Sequence, residues 1–303
     1  MKKNYIFALI TILIWASMAT MVKLLLADIP NLEALAISSV FAFLFLLIIN
    51  VKTGKIKELK QYSVKQYGVM AGLGFLGLFL YSALYYYGIG ELSSQEACIL
   101  NYLWPMMIVL FSCLILKERV TVLKCVAMVC SFMGIVILSL GKGEAAGGNT
   151  TAGMVACIVA AACYGLFSVL NKKADYDQNI TMMVIWLTVA VCSFAVGPFL
   201  EEWVPVRGVQ WLGILWLGVM TDAVAYLLWA LALKGVKDTA KIANLAYLTP
   251  FLSVLCSAVV LKERIKPLAL VALILIVGGI VLQSVFEGKI KTKESAEEEG
   301  KTI

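Results

Sequence analysis

The sequence predicts an all-α integral membrane protein of ten transmembrane helices, arranged as two inverted five-helix repeats. Composition, the spacing of apolar runs and one repeated stretch carry that expectation. Of 303 residues, 62% are apolar and 15% are charged, a balance that suits a lipid-facing surface and not a water-facing one. Runs long enough to cross a hydrocarbon layer of roughly 30 Å fall near residues 4–26, 33–51, 66–88, 93–115, 121–140, 152–170, 181–200, 209–234, 239–261 and 266–286. The stretch NYLWPMMIVLFSCLILKERV at 101–120 recurs as NLAYLTPFLSVLCSAVVLKERI at 244–265.

The first run has the basic start and small residues (Ser17-Met18-Ala19) of a signal peptide, but its apolar stretch continues to Leu26, so it is taken as a span. Lys23 lies within a turn of that span's end and can snorkel to the interface. A lysine-rich loop (Lys52, Lys55, Lys57, Lys60, Lys65) joins the second span to the third, which carries Tyr81 and then Tyr85-Tyr86-Tyr87 near its far end, where an interfacial aromatic belt is expected. The fourth span opens on Ser93-Ser94-Gln95-Glu96, the S-x-x-E pattern of a capping box. It contains Asn101, Trp104 and Pro105 and closes on Leu116-Lys117-Glu118-Arg119. A glycine-rich loop with a glycosylation sequon, Asn149-Thr150-Thr151, follows the fifth; the sequon matters only in a eukaryotic secretory pathway. The sixth span holds Tyr164, the eighth Asp222 and Trp229, and the ninth Asn244, Tyr247 and Pro250. After the tenth comes a polar stretch, 287–303, expected to be disordered and solvated.

The loops set an expected orientation. With the N-terminus in the cytoplasm, all but six of the 25 basic residues fall on the cytoplasmic side, as the positive-inside rule requires. The exceptions are Lys23, Lys142, Arg207, Lys262, Arg264 and Lys266. Both termini are then cytoplasmic, in the inner membrane of a cell.

A shift of 145 residues aligns 102–119 with 247–264, with ten of eighteen positions identical, and pairs Tyr81 with Tyr226. That is a tandem duplication. The expected units are residues 1–143, residues 144–287 and a tail over 288–303. Five spans per copy is an odd number, so the second copy enters the membrane upside down, as in many secondary transporters. Pro105 and Pro250 fall near the middle of their spans, where each removes the hydrogen bond to the carbonyl four residues back, that of Asn101 or Ala246. Such carbonyls must face protein or a water-filled cavity. The two prolines are therefore candidate hinges.

Asn101 with Trp104, and Asn244 with Tyr247, are each three apart on one helical face, suited to the polar and apolar ends of an amphipathic solute or to interhelical hydrogen bonds. Trp15, Tyr81, Tyr164 and Trp229 are the deeper aromatics and candidate cavity walls. Asp222 is the one acidic residue near the middle of a span. A carboxylate there costs roughly 2.5–3.5 kcal/mol to insert, which makes it the candidate to bind a substrate amine or carry a coupling proton.

These features resemble the drug/metabolite transporter superfamily and its EamA branch, over nearly the whole chain. Asn101-Tyr102-Leu103-Trp104-Pro105 resembles the motif of the bacterial aromatic amino acid exporters; the second copy, Asn244-Leu245-Ala246-Tyr247-Leu248-Thr249-Pro250, lacks the tryptophan. The resemblance implies a carrier exporting amino acids or related metabolites, with a nucleotide-linked sugar or vitamin carrier as the alternative and a channel as a further one. The expected partners are a small-molecule substrate, membrane lipid and protons as coupling ion, with no nucleic acid and no cofactor.

Residue types argue against other classes. The chain has no histidine, which a rhomboid-type protease needs as base and a zinc protease needs as ligand. An aspartyl protease needs two membrane carboxylates where Asp222 stands alone, and no G-x-x-x-x-G-K-[ST] loop is present for ATP. The eight cysteines lie in apolar runs without C-x-x-C spacing and read as small buried hydrophobes.

Overall fold

The computed structural model describes residues 2–117, 122–140, 149–174, 176–233, 244–279 and 281–282, and every regular element among them is helical. In lipid the backbone must satisfy its own hydrogen bonds, and a helix does so within one segment. Seven helices among the described residues are long and apolar enough to cross a membrane. They are α1 (Lys2–Leu25), α2 (Asn31–Lys52), α3 (Val64–Glu91), α4 (Ser94–Ile115), α6 (Thr150–Ala174), α7 (Gln178–Leu200) and α8, which runs from Gln210. Helices also occupy the other three expected spans: α5 (Val122–Leu140), α9 (Thr249–Val260) and α10 (Pro267–Gly279), the last two shorter than a full crossing. The expected tail, the boundary at 143, Glu118 and Arg119 lie outside the described residues.

Helix starts follow local chemistry. Ser63 with Gln66 opens α3 and Ser93 with Glu96 opens α4, both as complete capping boxes. The Asp177 carboxylate accepts from the N–H groups of Asn179 and Ile180 at the head of α7. Asn149, expected in a loop, caps α6 by accepting from the N–H of Ala152 at 3.1 Å.

The helices of the first half pack on those of the second. α1 meets α8 and α9, while α6 meets α3 and α4; α2 meets α7 and α8, and α7 in turn meets α3. Exchanging the two halves maps this set of contacts onto itself, as a two-fold relation between copies requires. Equivalent helices also run antiparallel. Along α2 and α7, Leu32 N–H donates to Glu201 and Asn50 Nδ2 to the carbonyl of Asn179. Along α4 and α9, Ser94 Oγ lies 2.9 Å from Ser257 Oγ, and Tyr102 Oη donates to the Ala246 carbonyl at 3.2 Å.

The proline segments differ from a kinked continuous helix. α4 breaks after Asn101: Tyr102 and Leu103 turn, and a new helix, Trp104–Ile115, begins with Pro105 in its first turn. There proline has no N–H to leave unpaired and its fixed φ suits the start. In the second copy a 3₁₀ segment, Asn244–Leu248, leads into α9 with Pro250 in the first turn. The Ala246 carbonyl, freed by Pro250, is the one that accepts from Tyr102 Oη.

Two other irregularities repeat. Lys117 and Lys262, 145 residues apart, both adopt φ 55 just past their helices, the left-handed cap that glycine usually supplies. α3 and α8 each contain a π-helical stretch, Phe75–Leu80 and Trp216–Val224. Tyr81 follows the first directly; Asp222 lies within the second and Tyr226 just beyond it. Such insertions re-aim the side chains around them and recur at functional sites.

Candidate functional site

Between the two halves lies a cavity of about 320 Å³, walled by α1, α3, α4, α6, α7, α8 and the start of α9. Six expected side chains meet there with Asp222: Asn101, Trp104, Trp15, Tyr81, Tyr164 and Trp229. The backbone of Asn244 and Tyr247 lies in the 3₁₀ segment beside it, but their side chains lie outside the described set. Pro105 and Pro250 do not line the cavity; they start the two helices that lead away from it.

The walls are aromatic in two groups. Trp15 packs its ring 5.5 Å from that of Tyr226 and 5.5 Å from that of Trp229. In the second group Tyr164 stands 5.1 Å from Tyr81 and 5.4 Å from Trp104, and Tyr81 stacks on Tyr85 at 5.8 Å. These separations are those of favourable ring pairs.

The polar groups are few and incompletely paired. Asn101 Nδ2 donates to Tyr81 Oη at 3.1 Å, and Asn101 Oδ1 has no partner among the described residues. Asp222 is 3% exposed, and its Oδ2 has no partner among the described residues. The Trp186 indole N–H is likewise unpaired. Buried polar atoms are paired in the great majority of cases, so five such atoms around one cavity, those of Thr249 and Ser253 included, point to groups held for a visitor.

Several site residues escaped the sequence reading. Tyr85 and Tyr86, expected in an interfacial belt, are 2% and 1% exposed, and Tyr85 lines the cavity; only Tyr87, at 38%, fits the expectation. The signal was available, since Tyr85 is four residues, one turn, beyond Tyr81. Tyr226 was visible as the repeat partner of Tyr81, and Tyr102 as that of Tyr247. Cys98, Thr249 and Ser253 carried no signal beyond the repeat's own helices. The Lys23 ammonium donates to the carbonyls of Ile89, Gly90 and Leu92 at the end of α3.

One end of the cavity is plugged. Ser94 and Ser257, each one turn beyond the lining residues Cys98 and Ser253, join Thr20 in a buried hydroxyl cluster. Beyond it Glu263 accepts from the N–H groups of Ser94 and Gln95, and Lys266 pairs with Glu96 at 2.9 Å. The second Lys-Glu-Arg corner thus clamps the head of α4 from the other copy. Away from the plug, Lys55 pairs with Asp177. Burial raises the Asp177 carboxyl, but the hydrogen bond from Lys55, the N–H bonds from Ile180 and Asn179 and the lysine charge outweigh it and hold the pKa below the usual value.

The model of the EamA-like transporter family matches this chain twice, over residues 2–140 and 151–285. The chain belongs to that family. Among its relatives is the aromatic amino acid exporter YddG of Ancylobacter novellus, 28% identical over 213 residues that cover 69% of this chain and 72% of the exporter. The uncharacterized transporter YoaV of Bacillus subtilis is 25% identical over 90% of this chain and 93% of its own. An uncharacterized transporter of Clostridium kluyveri is 23% identical over 93% of each. A solved crystal structure superimposes with a TM-score of 0.66, covering 94% of this chain and 98% of its own at 21% identity. The family members named here are transporters, and this EamA-family chain is a multi-pass membrane protein with a small-molecule transport role.

Proposed function

We propose that the protein is a secondary carrier that exports amino acids, aromatic ones foremost, across the cytoplasmic membrane by alternating access. The observation that carries the reading is the aromatic cavity between two antiparallel copies, plugged at one end and lined by a carboxylate with one oxygen unpartnered among the described residues. The antiparallel equivalent helices support ten spans in two oppositely inserted sets of five. The units are 1–143 and 144–287, with both termini cytoplasmic. A copy and its inverted twin can exchange roles, so the plug that closes one face in this state has a counterpart that closes the other.

In this scheme the ring of the solute stacks among Trp15, Tyr81, Trp104, Tyr164 and Trp229, and Asn101 bonds its polar end. Asn244 and Tyr247 approach from the second copy. Asp222 holds either the substrate ammonium or a proton, never both, which couples one to the other. Pro105 and Pro250 let the half-helices tilt at the breaks. The name of the Ancylobacter exporter supports the solute class; the cavity, wide enough for one ring and a short polar arm, agrees with it.

Purified protein in proteoliposomes preloaded with unlabelled phenylalanine should take up labelled phenylalanine by saturable counterflow. Unitary currents, or flux that rises linearly with concentration, would replace the carrier with a channel.

A further inference from the structure

Among the described residues the cavity is lined by one carboxylate and by no basic side chain. Asp222 is 3% exposed with Oδ2 unpaired among the described residues, and no described Lys or Arg lines the walls. Lys23, the basic residue deepest in α1, is committed to three backbone carbonyls elsewhere. A solute carrying one ammonium group neutralises Asp222, and the surrounding ring faces, which are electron-rich and attract cations, add to that attraction. An amino acid zwitterion adds a carboxylate to the same space. The neutral donors available, such as the Trp186 N–H and the hydroxyls of Thr249 and Ser253, can hydrogen-bond that carboxylate but cannot balance its charge.

Resting on the alternating-access carrier reading above, and replacing its amino acid solute with the corresponding amine, we infer that the headgroup this site recognises is the ammonium alone. Aromatic monoamines, the decarboxylated counterparts of aromatic amino acids, are then its preferred solutes. Loading one monocation onto Asp222 leaves the cavity with the same net charge as loading one proton, so the two exchange one for one at that carboxylate. The reaction class that supplies such a solute is amino acid decarboxylation.

Isothermal titration of the detergent-purified full chain with tryptamine, tryptophan and indole-3-propionate at neutral pH tests this without any flux. Tryptamine should bind at least tenfold more tightly than tryptophan, and indole-3-propionate, which lacks the ammonium, should not bind. Asp222→Asn should erase the tryptamine preference, and Asp222→Glu should restore part of it if the asparagine variant fails to fold. Tryptophan binding as tightly as tryptamine, binding of neither, or a preference that survives in Asp222→Asn overturns the inference. Saturable counterflow of phenylalanine together with equal binding of amine and amino acid would sink the inference and leave the carrier standing.

Discussion

Gly218 is where the structure makes its most exacting demand on packing. It sits in the π-helical stretch of α8, four residues before Asp222, and a Cβ built there would lie 2.2 Å from the carbonyl oxygen of Ser38 on α2 and 3.0 Å from Phe41 Cβ. The nearest obstacle is backbone, and α2 is held against α7 by the bonds of Leu32 and Asn50, so α8 has to retreat by roughly 1 Å to restore ordinary contact. Forcing such an atom into a packed interior costs about 1–3 kcal/mol, or roughly 2–4 °C of midpoint per kcal/mol in a chain of this order of size. A shift of that size at Asp222 is expected to slow turnover by up to about 100-fold. Gly278→Ala is the control, because a Cβ there meets nothing within 4 Å and alanine favours a helix by roughly 0.5–1 kcal/mol. Thermal unfolding in detergent and initial counterflow rates give the comparison. Equal stability and rate for Gly218→Ala and Gly278→Ala would show that α2 and α8 do not approach as described.

Further outcomes follow from the same structure. Asp222→Asn should abolish coupled transport and raise the thermal midpoint, since the substitution removes a carboxylate whose insertion costs roughly 2.5–3.5 kcal/mol; unchanged rate and pH dependence would remove Asp222 from the mechanism. Asp177→Ala should cost about 0.5–2 kcal/mol through the lost cap, and Asp177→Asn less, because asparagine also caps. The Asp177 pKa is lowered in the folded chain, so its contribution is complete above the unfolded carboxylate range near pH 4 and disappears as pH falls through the lower folded value. A wild-type stability curve whose acid limb matches that of Asp177→Asn would contradict this. Lys262→Gly should stabilise by about 1 kcal/mol by relieving a left-handed non-glycine residue; a loss of stability in thermal unfolding would assign the lysine a contact of its own.

The repeat, the two prolines and the lone Asp222 were legible because each is a departure from an apolar background, and departures in lipid are costly enough to be informative. The membrane class and the family followed from them. The π stretches were hidden, since Phe75–Leu80 and Trp216–Val224 differ from ordinary helix only in hydrogen-bond register, which side-chain patterning barely encodes. Tyr85 was misassigned because depth along a span was judged from its ends, while the break after Asn101 and the π stretch shift which residues face the centre. The carbonyl partners of Lys23 were hidden, because backbone carbonyls look alike in every sequence. That Glu263 caps α4 of the other copy was hidden, because it depends on a contact 169 residues away.

The central claim is that one cavity opens to one face at a time. Thr249 lines that cavity and is 4% exposed. A single cysteine at 249, in a chain whose native cysteines are replaced, can be probed with an impermeant maleimide from either face of the membrane during turnover. Labelling from both faces is expected, falling to one face alone once a second cysteine pair at positions 94 and 257 is oxidised across the hydroxyl plug. Labelling that continues from both faces after that cross-link would mean a continuous pore and would contradict alternating access.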